Sequence, residues 1–312
     1  MLDFLKSQLF TSVPVPTKSL AGKTIIITGA NTGLGLEAAR HCVRLDAAKV
    51  ILAVRSEPKG QAAKEDIETS TQRSGVVEVW SLDLASYAAV NGFVEKIAQL
   101  PRVDAIIENA GIATMDWKVA EDNEQTITVN VVSTILLAVR MLPILVASAK
   151  KHPESEPVIS IVTSDTHHWA QFHEAKAKDV FAALNHKQKA DMLDRYVIIS
   201  RTTRLNILEK KKKRIDGFYR YYTSKLLQIL AVRALVERLQ ASAAGVTVNV
   251  TNPGFCTTSL TRDVHGLTAV KFKLLEIAVA RSAECGSRVL VQGILLGPSS
   301  HGKYISDGII NE

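Results

Sequence analysis

The sequence is poor in several things, and each shortage removes a class of protein. It has three cysteines in 312 residues, Cys42, Cys256 and Cys285. An odd number at such wide spacing supports neither a disulfide framework nor a zinc site and fits a reducing, cytoplasmic setting. No internal repeat or low-complexity linker appears. Long unbroken apolar runs are also missing. The longest apolar region, Val129 to Val146, contains Asn130, Arg140 and Pro143 and reads as a buried helix, not an integral membrane span. The first residues, Met1 to Phe10, are too short and lack the small-residue cleavage pattern for a secretory signal. They read as an amphipathic arm, residues 1–20, packing on the body rather than as a membrane foot.

Acidic residues are the scarcer charges, leaving a net charge of +7, but the excess is confined. Between Val197 and Arg220 lie eight bases (including the run Lys210 to Arg214) and two acids, a local +6. One basic run of this kind is a solvated loop more often than a nucleic-acid face. With 46% hydrophobic residues, the rest is long enough to bury the core of one α/β domain over residues 21–312.

What is present alternates strand and helix. Lys23 to Thr28 (KTIIIT) has the β-branched composition of a buried parallel strand and runs into Gly29-Ala30-Asn31-Thr32-Gly33-Leu34-Gly35, then a helix-favouring stretch from Leu36 to Leu45. Strand, glycine turn and helix form the context of a dinucleotide fingerprint. The glycines let backbone approach a pyrophosphate, and the helix start offers free N–H groups and a positive dipole end. Val50 to Val54 predicts the next strand, closed by Arg55 with Lys59 nearby. An acid there suits the ribose hydroxyl of NAD; an arginine fork suits the 2′-phosphate of NADP(H). Further strands are predicted over Val76 to Leu82, Val103 to Ile107, Pro157 to Val162, Val246 to Val250 and Gly302 to Ser306, and an amphipathic helix over Lys271 to Leu290. The alternation predicts a doubly wound, Rossmann-type parallel sheet whose ligands sit at the carboxyl ends of its strands, where Asp83 and Asn109 fall.

Tyr221-Tyr222-Thr223-Ser224-Lys225 heads an apolar helical run, so the Tyr221 phenol and the Lys225 ammonium stack one turn apart. A nearby cation favours the phenolate, which predicts a Tyr221 that titrates below the roughly 10 of free tyrosine and serves as a general acid near neutral pH. A tyrosine four residues before a lysine arises by chance in many helices, and Ser164 alone is a strand-end turn former or cap. Asn130 alone is a buried amide that satisfies local backbone.

In combination, TGANTGLG at 28 to 35, ENAG at 108 to 111, Asn130, Ser164, YYTSK at 221 to 225 and NPGFCTT at 252 to 258 resemble the short-chain dehydrogenase/reductase superfamily, over about Ala21 to Gly308. TGANTGLGLEAAR, Arg55 and the SxxH after the fifth strand are similar to its retinol-dehydrogenase-like branch. FLKSQLF and VPTKSLAGK are similar to fungal members of secondary metabolism. The resemblance implies an NADP(H)-dependent oxidoreductase interconverting a ketone and a secondary alcohol on an apolar small molecule. It implies that Tyr221 exchanges the proton with the substrate oxygen, that Lys225 lowers its pKa and holds the nicotinamide ribose, and that Ser164 orients the carbonyl. Asn130 would hold a water relaying protons to Lys225, and Thr258, ahead of Thr257, would bind the carboxamide. Gly29, Gly33, Leu34, Gly35, Arg55, Lys59, Asp83 and Asn109 would hold the remainder of the cofactor. Pairing into a homodimer or homotetramer through the Asn130 and Tyr221 helices is common in the family. His167, His168 and Trp169 read equally as pocket liners and as packing residues.

One stretch departs from the family pattern. Asp194-Arg195-Tyr196 is separated from Arg220-Tyr221 by foreign-looking sequence, and removing the 25 residues Tyr196 to Arg220 restores DRYYTSK and removes the local +6. This marks 196–220 as an insertion or a translated intron. Its presence leaves a second reading, a nucleotide-binding regulator or scaffold of the same fold that has lost turnover.

Overall fold

Strand β1 (Thr24–Thr28) is buried along its whole length, as a β-branched run must be when helices cover both faces of a parallel sheet. The computed structural model describes residues 2–114, 116–187, 217–240, 245–261 and 267–311. The basic run and most of the 196–220 stretch lie outside the described residues.

Helix α1 (Leu2–Phe10) precedes β1, and α2 (Gly33–Arg44), β2 (Lys49–Val54), α3 (Glu57–Thr71), β3 (Val77–Ser81), α4 (Tyr87–Ile97) and β4 (Ala105–Glu108) follow it. A small hairpin of β5 (Val119–Ala120) and β6 (Asn123–Glu124) leads into α5 (Gln125–Ile127), a π-helical turn over Thr128–Ser133, and α6 (Thr134–Lys151). Next come β7 (Val158–Val162), a 3-10 turn over Asp165–Trp169, the short α7 (Val180–Leu184), α8 (Gly217–Gln240) and β8 (Thr247–Asn252). The chain closes with α9 (Leu267–Val279), α10 (Ala283–Leu295), β9 (Tyr304–Ser306) and β10 (Ile309–Asn311).

The main sheet has eight strands in the order β10-β9-β8-β7-β4-β1-β2-β3, parallel except for β9 with β10. The chain runs outward from β1 through β2 to β3 and then returns to β4 on the other flank of β1. The carboxyl ends of β1 and β4 therefore bracket the point where strand order reverses, the place where such sheets bind ligands. Two cores cover the faces. Phe93, Leu137, Met141 and Val232 lie on the side of α4, α6 and α8; Ala38, Val43, Ile67 and Leu290 lie on the side of α2, α3 and α10.

The continuous helical run Gln125–Lys151 is, among the described residues, long and apolar enough to cross a membrane. Its Leu137, Ala138, Met141 and Leu145 are fully buried in the sheet core, so here it is a core helix. The predicted helix over Lys271 to Leu290 is corrected. It is two helices, because Arg281 joins the loop after β8 by accepting from Thr257 N–H at 2.9 Å and donating its own N–H to Phe255 at 2.9 Å. Ser282 then caps α10 by accepting from Cys285 N–H at 3.0 Å.

Glu108, the last residue of β4, is buried with neither carboxylate oxygen hydrogen-bonded. Burial holds its pKa well above the ordinary carboxyl value. A carboxyl raised in the folded state stabilises in full below its unfolded pKa and loses that contribution as pH rises toward the folded one. Replacement by methionine, of similar shape, should remove this dependence. The melting temperature of Glu108→Met should gain on the parent increasingly as pH rises above about 4.5, the parent losing about 1.4 kcal/mol per pH unit over that window. Parallel melting curves across pH would show that the carboxyl is not buried uncharged.

Candidate active site

The loop after β1 carries Gly29 at φ +66° and Gly33 at φ +58°, left-handed backbone that side chains resist. A Cβ at Gly29 would lie 3.0 Å from the Ala110 Cα, so the β1 and β4 loops touch backbone to backbone. A Cβ at Gly35 would lie 2.6 Å from the Asn109 amide nitrogen and from the Gly29 carbonyl. Asn109 Nδ2 in turn donates to the Thr28 carbonyl at 2.9 Å, fixing the two strand ends together. Thr32 precedes α2 and makes no side-chain cap, leaving the first-turn N–H groups of that helix to an outside acceptor.

These groups face a cavity of about 1250 Å³ that runs along the carboxyl ends of the strands. Gly29, Gly33, Leu34, Arg55, Lys59, Asp83, Asn109, Ser164, Tyr221, Lys225 and Thr258 all line it. Two of the sequence-predicted site residues do not. Gly35 is buried behind the loop, where its lack of a side chain lets Asn109 approach, and Asn130 is fully buried behind Gly111. Thr258 stands 3.6 Å from where a Gly33 Cβ would be, whereas Thr257 is exposed and donates its N–H to Arg281. Of the three residues left open after Ser164, Trp169 lines the cavity. His167 instead packs against His168 and Tyr304, its Nδ1 2.8 Å from the Ser164 carbonyl.

Tyr221 and Lys225 sit one turn apart on α8 and both are buried. The Lys225 ammonium donates to the Val162 carbonyl at the end of β7, at 2.9 Å, and to Gln228 Oε1 at 3.1 Å. Gln228 Nε2 donates to the Asn130 carbonyl at 2.7 Å. The orientation of this amide is set by its partners, since an ammonium only donates and a carbonyl only accepts. Asn130 sits in the π-helical turn, which breaks the regular helical ladder. Its own side chain accepts from Ile112 N–H at 2.9 Å and donates to the Ile112 carbonyl at 2.9 Å and to Ser224 Oγ at 3.0 Å. Gln228 thus bridges Lys225 and Asn130 directly. It was missed because an amide in a helix carries no signal by itself; its place one turn after Lys225, facing it, was the available clue.

The predicted acidity of Tyr221 is reversed. Burial pushes its phenol above the ordinary tyrosine value; the hydrogen bond with the Ser164 side chain opposes this and Tyr222 adds to it. Lys225 cannot offset the burial, because its amine is desolvated too and is lowered to about 7. The ammonium stands 5.5 Å from the Tyr221 ring centre and is spent on neutral partners.

The short-chain dehydrogenase family model matches residues 23–165, ending before Tyr221. Short-chain dehydrogenase anuD of Penicillium roqueforti is 42% identical over 315 residues, spanning 100% of this chain and 76% of the relative. Short chain dehydrogenase/reductase dmxR8 of a Cryptosporiopsis species is 44% identical, spanning 98% of this chain and 87% of the relative.

The chain belongs to the short-chain dehydrogenase/reductase family.

A family member from Sphingobium yanoikuyae in complex with NADPH has the same fold at a TM-score of 0.60 and 18% identity, covering 91% of this chain and 87% of its own. The oxidoreductase yciK of E. coli superposes at a TM-score of 0.63 with 19% identity, covering 94% and 98%. This short-chain dehydrogenase is accordingly an oxidoreductase that uses a nicotinamide cofactor. Its cavity fits one, with a glycine cradle that a side chain would fill and an uncapped helix start beside it.

The bridge makes a specific expectation. Gln228→Leu removes an acceptor from a buried ammonium, a loss of roughly 1.5–3 kcal/mol for a hydrogen bond to a charged group, or about 10- to 150-fold in turnover if the amine must stay in place. A steady-state assay in which kcat is unchanged would show that Val162 alone holds Lys225.

Proposed function

We propose that this enzyme is an NADP(H)-dependent reductase of a ketone on an apolar small molecule, forming the secondary alcohol, with a secondary-metabolite intermediate of a fungus as its substrate. The observation that carries this reading is the meeting of Tyr221, Ser164 and Lys225 in one apolar-walled cavity with the glycine loop. The cofactor supplies hydride when bound. Gly29, Gly33, Leu34, Asp83, Asn109 and Thr258 are the residues that would hold it, with Gly35 and Asn130 supporting the loop and the amine from behind.

Arg55 and Lys59 support the phosphorylated cofactor. Both line the cavity at the end of β2 and are exposed, and neither makes an ion pair among the described residues. A 2′-phosphate offers such cations an acceptor that a bare ribose does not. In the reductive direction the buried phenol is the proton donor. A tyrosine held above its ordinary pKa is protonated at neutral pH and can donate to an alkoxide, which is a stronger base than a phenolate. Ser164 orients the carbonyl through its hydroxyl. Lys225, which also lines the cavity, would hold the nicotinamide ribose. A reducing, cytoplasmic setting belongs to this reading, supported by the free Cys42, Cys256 and Cys285. So does pairing of two copies through α6 and α8, whose Val139 and Leu230 are exposed.

The second reading, a nucleotide-binding scaffold without turnover, rests on the 196–220 stretch that enters the Tyr221 helix. Tyr221→Phe separates the two. The variant should bind NADPH as the parent does while losing roughly 100- to 10,000-fold of its carbonyl-dependent NADPH oxidation. A parent that binds NADPH but oxidises none with any carbonyl, and is unchanged by the substitution, is a scaffold. Cofactor choice is tested by Arg55→Asp, which should raise the KM for NADPH by about 10-fold or more and leave NADH use intact or improved. Because the Tyr221 phenol lies above its ordinary value, alcohol oxidation, which needs the phenolate, should climb with pH beyond 9 while ketone reduction does not. A common pH optimum for both directions would contradict this.

A further inference from the structure

Aromatic residues are 5% of the chain, yet five of them line the one cavity described above. Four form a continuous string of edge-to-face contacts. Tyr221 meets Tyr222 with ring centres 6.3 Å apart, Tyr222 meets Trp169 at 5.6 Å, and Trp169 meets Phe4 at 6.4 Å. The string starts at the proton donor and ends on α1, the helix at the beginning of the chain. Trp169 is half exposed, 51%, at the mouth of the cavity rather than sealed in a core.

Phe4 is not there by loose association. Gln8, on the same helix and 7% exposed, donates to the Phe255 carbonyl at 2.8 Å and accepts from Phe255 N–H at 3.1 Å. Arg281 donates to the Ser7 carbonyl at 2.6 Å and pairs with Asp307 at 2.6 Å, and the Ser7 hydroxyl donates to the same carboxylate at 2.8 Å. A Cβ at Gly254 would strike Gln8 Oε1 at 2.4 Å, so the loop after β8 is shaped to receive that side chain. These polar clamps make α1 a wall of the cavity and fix where Phe4 stands.

We infer that the Phe4–Trp169–Tyr222 string is the substrate subsite and that the substrate is a flat, uncharged, fused-ring aromatic ketone. This deepens the reductase reading and rests on it for the chemistry, though not for the binding. The string extends past Tyr222 away from the proton donor, so only a ligand longer than one ring can use Trp169 and Phe4 while its carbonyl stays at Tyr221 and Ser164. Ring edges and faces favour another aromatic system by about 0.5–1.5 kcal/mol per pair beyond the area buried, a gain a saturated chain of equal size does not receive. At this end Lys273 is already paired with Glu276 at 2.9 Å, and the Asp165 carboxylate, held by the neutral Tyr304 hydroxyl at 2.7 Å, disfavours an anionic ligand.

The test uses the full chain and two ketones of equal carbon number, fluorenone (flat, three fused rings) and methyl undecyl ketone. Binding is read by ligand-observed saturation-transfer NMR, which needs no turnover, and reduction by chromatography of the alcohols. Fluorenone should bind more tightly, and Trp169→Leu and Phe4→Leu, which keep apolar bulk but remove the ring, should each lower the fluorenone-to-alkyl affinity ratio by roughly 2- to 12-fold. Phe10→Leu, outside the cavity, should leave the ratio unchanged. Equal binding of the two ketones by the parent protein overturns the inference, whether or not any variant folds, and so does a ratio that neither ring-removing variant moves. If fluorenone binds preferentially but no alcohol forms with any carbonyl, the reductase reading fails and the subsite stands.

Discussion

A primary amine kept 4% exposed, with no carboxylate beside it among the described residues, is the constraint around which the cavity side of this fold is built. Removing an ammonium from water is costly unless its donors find acceptors, and burial alone lowers its proton affinity. The two acceptors come from different parts of the fold, a strand-end carbonyl of β7 and the Gln228 amide of α8 itself. Gln228 is then held by the Asn130 carbonyl, and Asn130 by Ile112 and Ser224. The amine therefore connects β7, α8, the π-helical turn and the loop after β4. Thr163 adds a further tie by donating to the Lys225 carbonyl at 3.2 Å.

The same architecture divides labour between the two flanks of β1. On the β2 and β3 side the cavity is lined by Arg55, Lys59 and Asp83, polar and open to water. On the β7 and β8 side it is lined by Tyr221, Tyr222, Trp169 and Phe255, and the first helix of the chain closes that wall. The division follows from the reversal of strand order, because helices that cover the sheet cannot also cover the crevice between its outward and returning halves.

Much of this was legible in the sequence, for physical reasons that differ by element. The strands of the main sheet through β9 could be read because a parallel sheet covered on both faces demands nearly continuous apolar, β-branched runs such as TIIIT and KVILAV, whereas the two-residue strands β5 and β6 carry no such run. The glycine loop was legible because turn chemistry fixes its spacing, whereas the Tyr221–Lys225 pair, common by chance in helices, stood out only in combination with the other motifs. The break between α9 and α10 was not, since Val279 to Ser282 keeps helical composition and the interruption comes from pairing of Arg281 with the distant loop after β8. The sign of the Tyr221 shift was also hidden, because spacing reveals a neighbouring cation but not how much water either group has lost. The part played by Phe4 depended on where α1 docks, which is decided by Gln8 and Arg281 meeting backbone far away in sequence.

The π-helical turn at Thr128–Ser133 has a consequence for how this helix could be changed. A π turn amounts to one residue inserted in an otherwise regular helix, at a cost in ladder geometry. Excising a single residue there would heal the ladder and rotate every side chain upstream by about 100° relative to α6. Asn130 would swing off Ile112, and its carbonyl would no longer meet Gln228. The irregular helix is thus the one that can hold the amine, and a straighter, intrinsically better helix would be the one that lets it go.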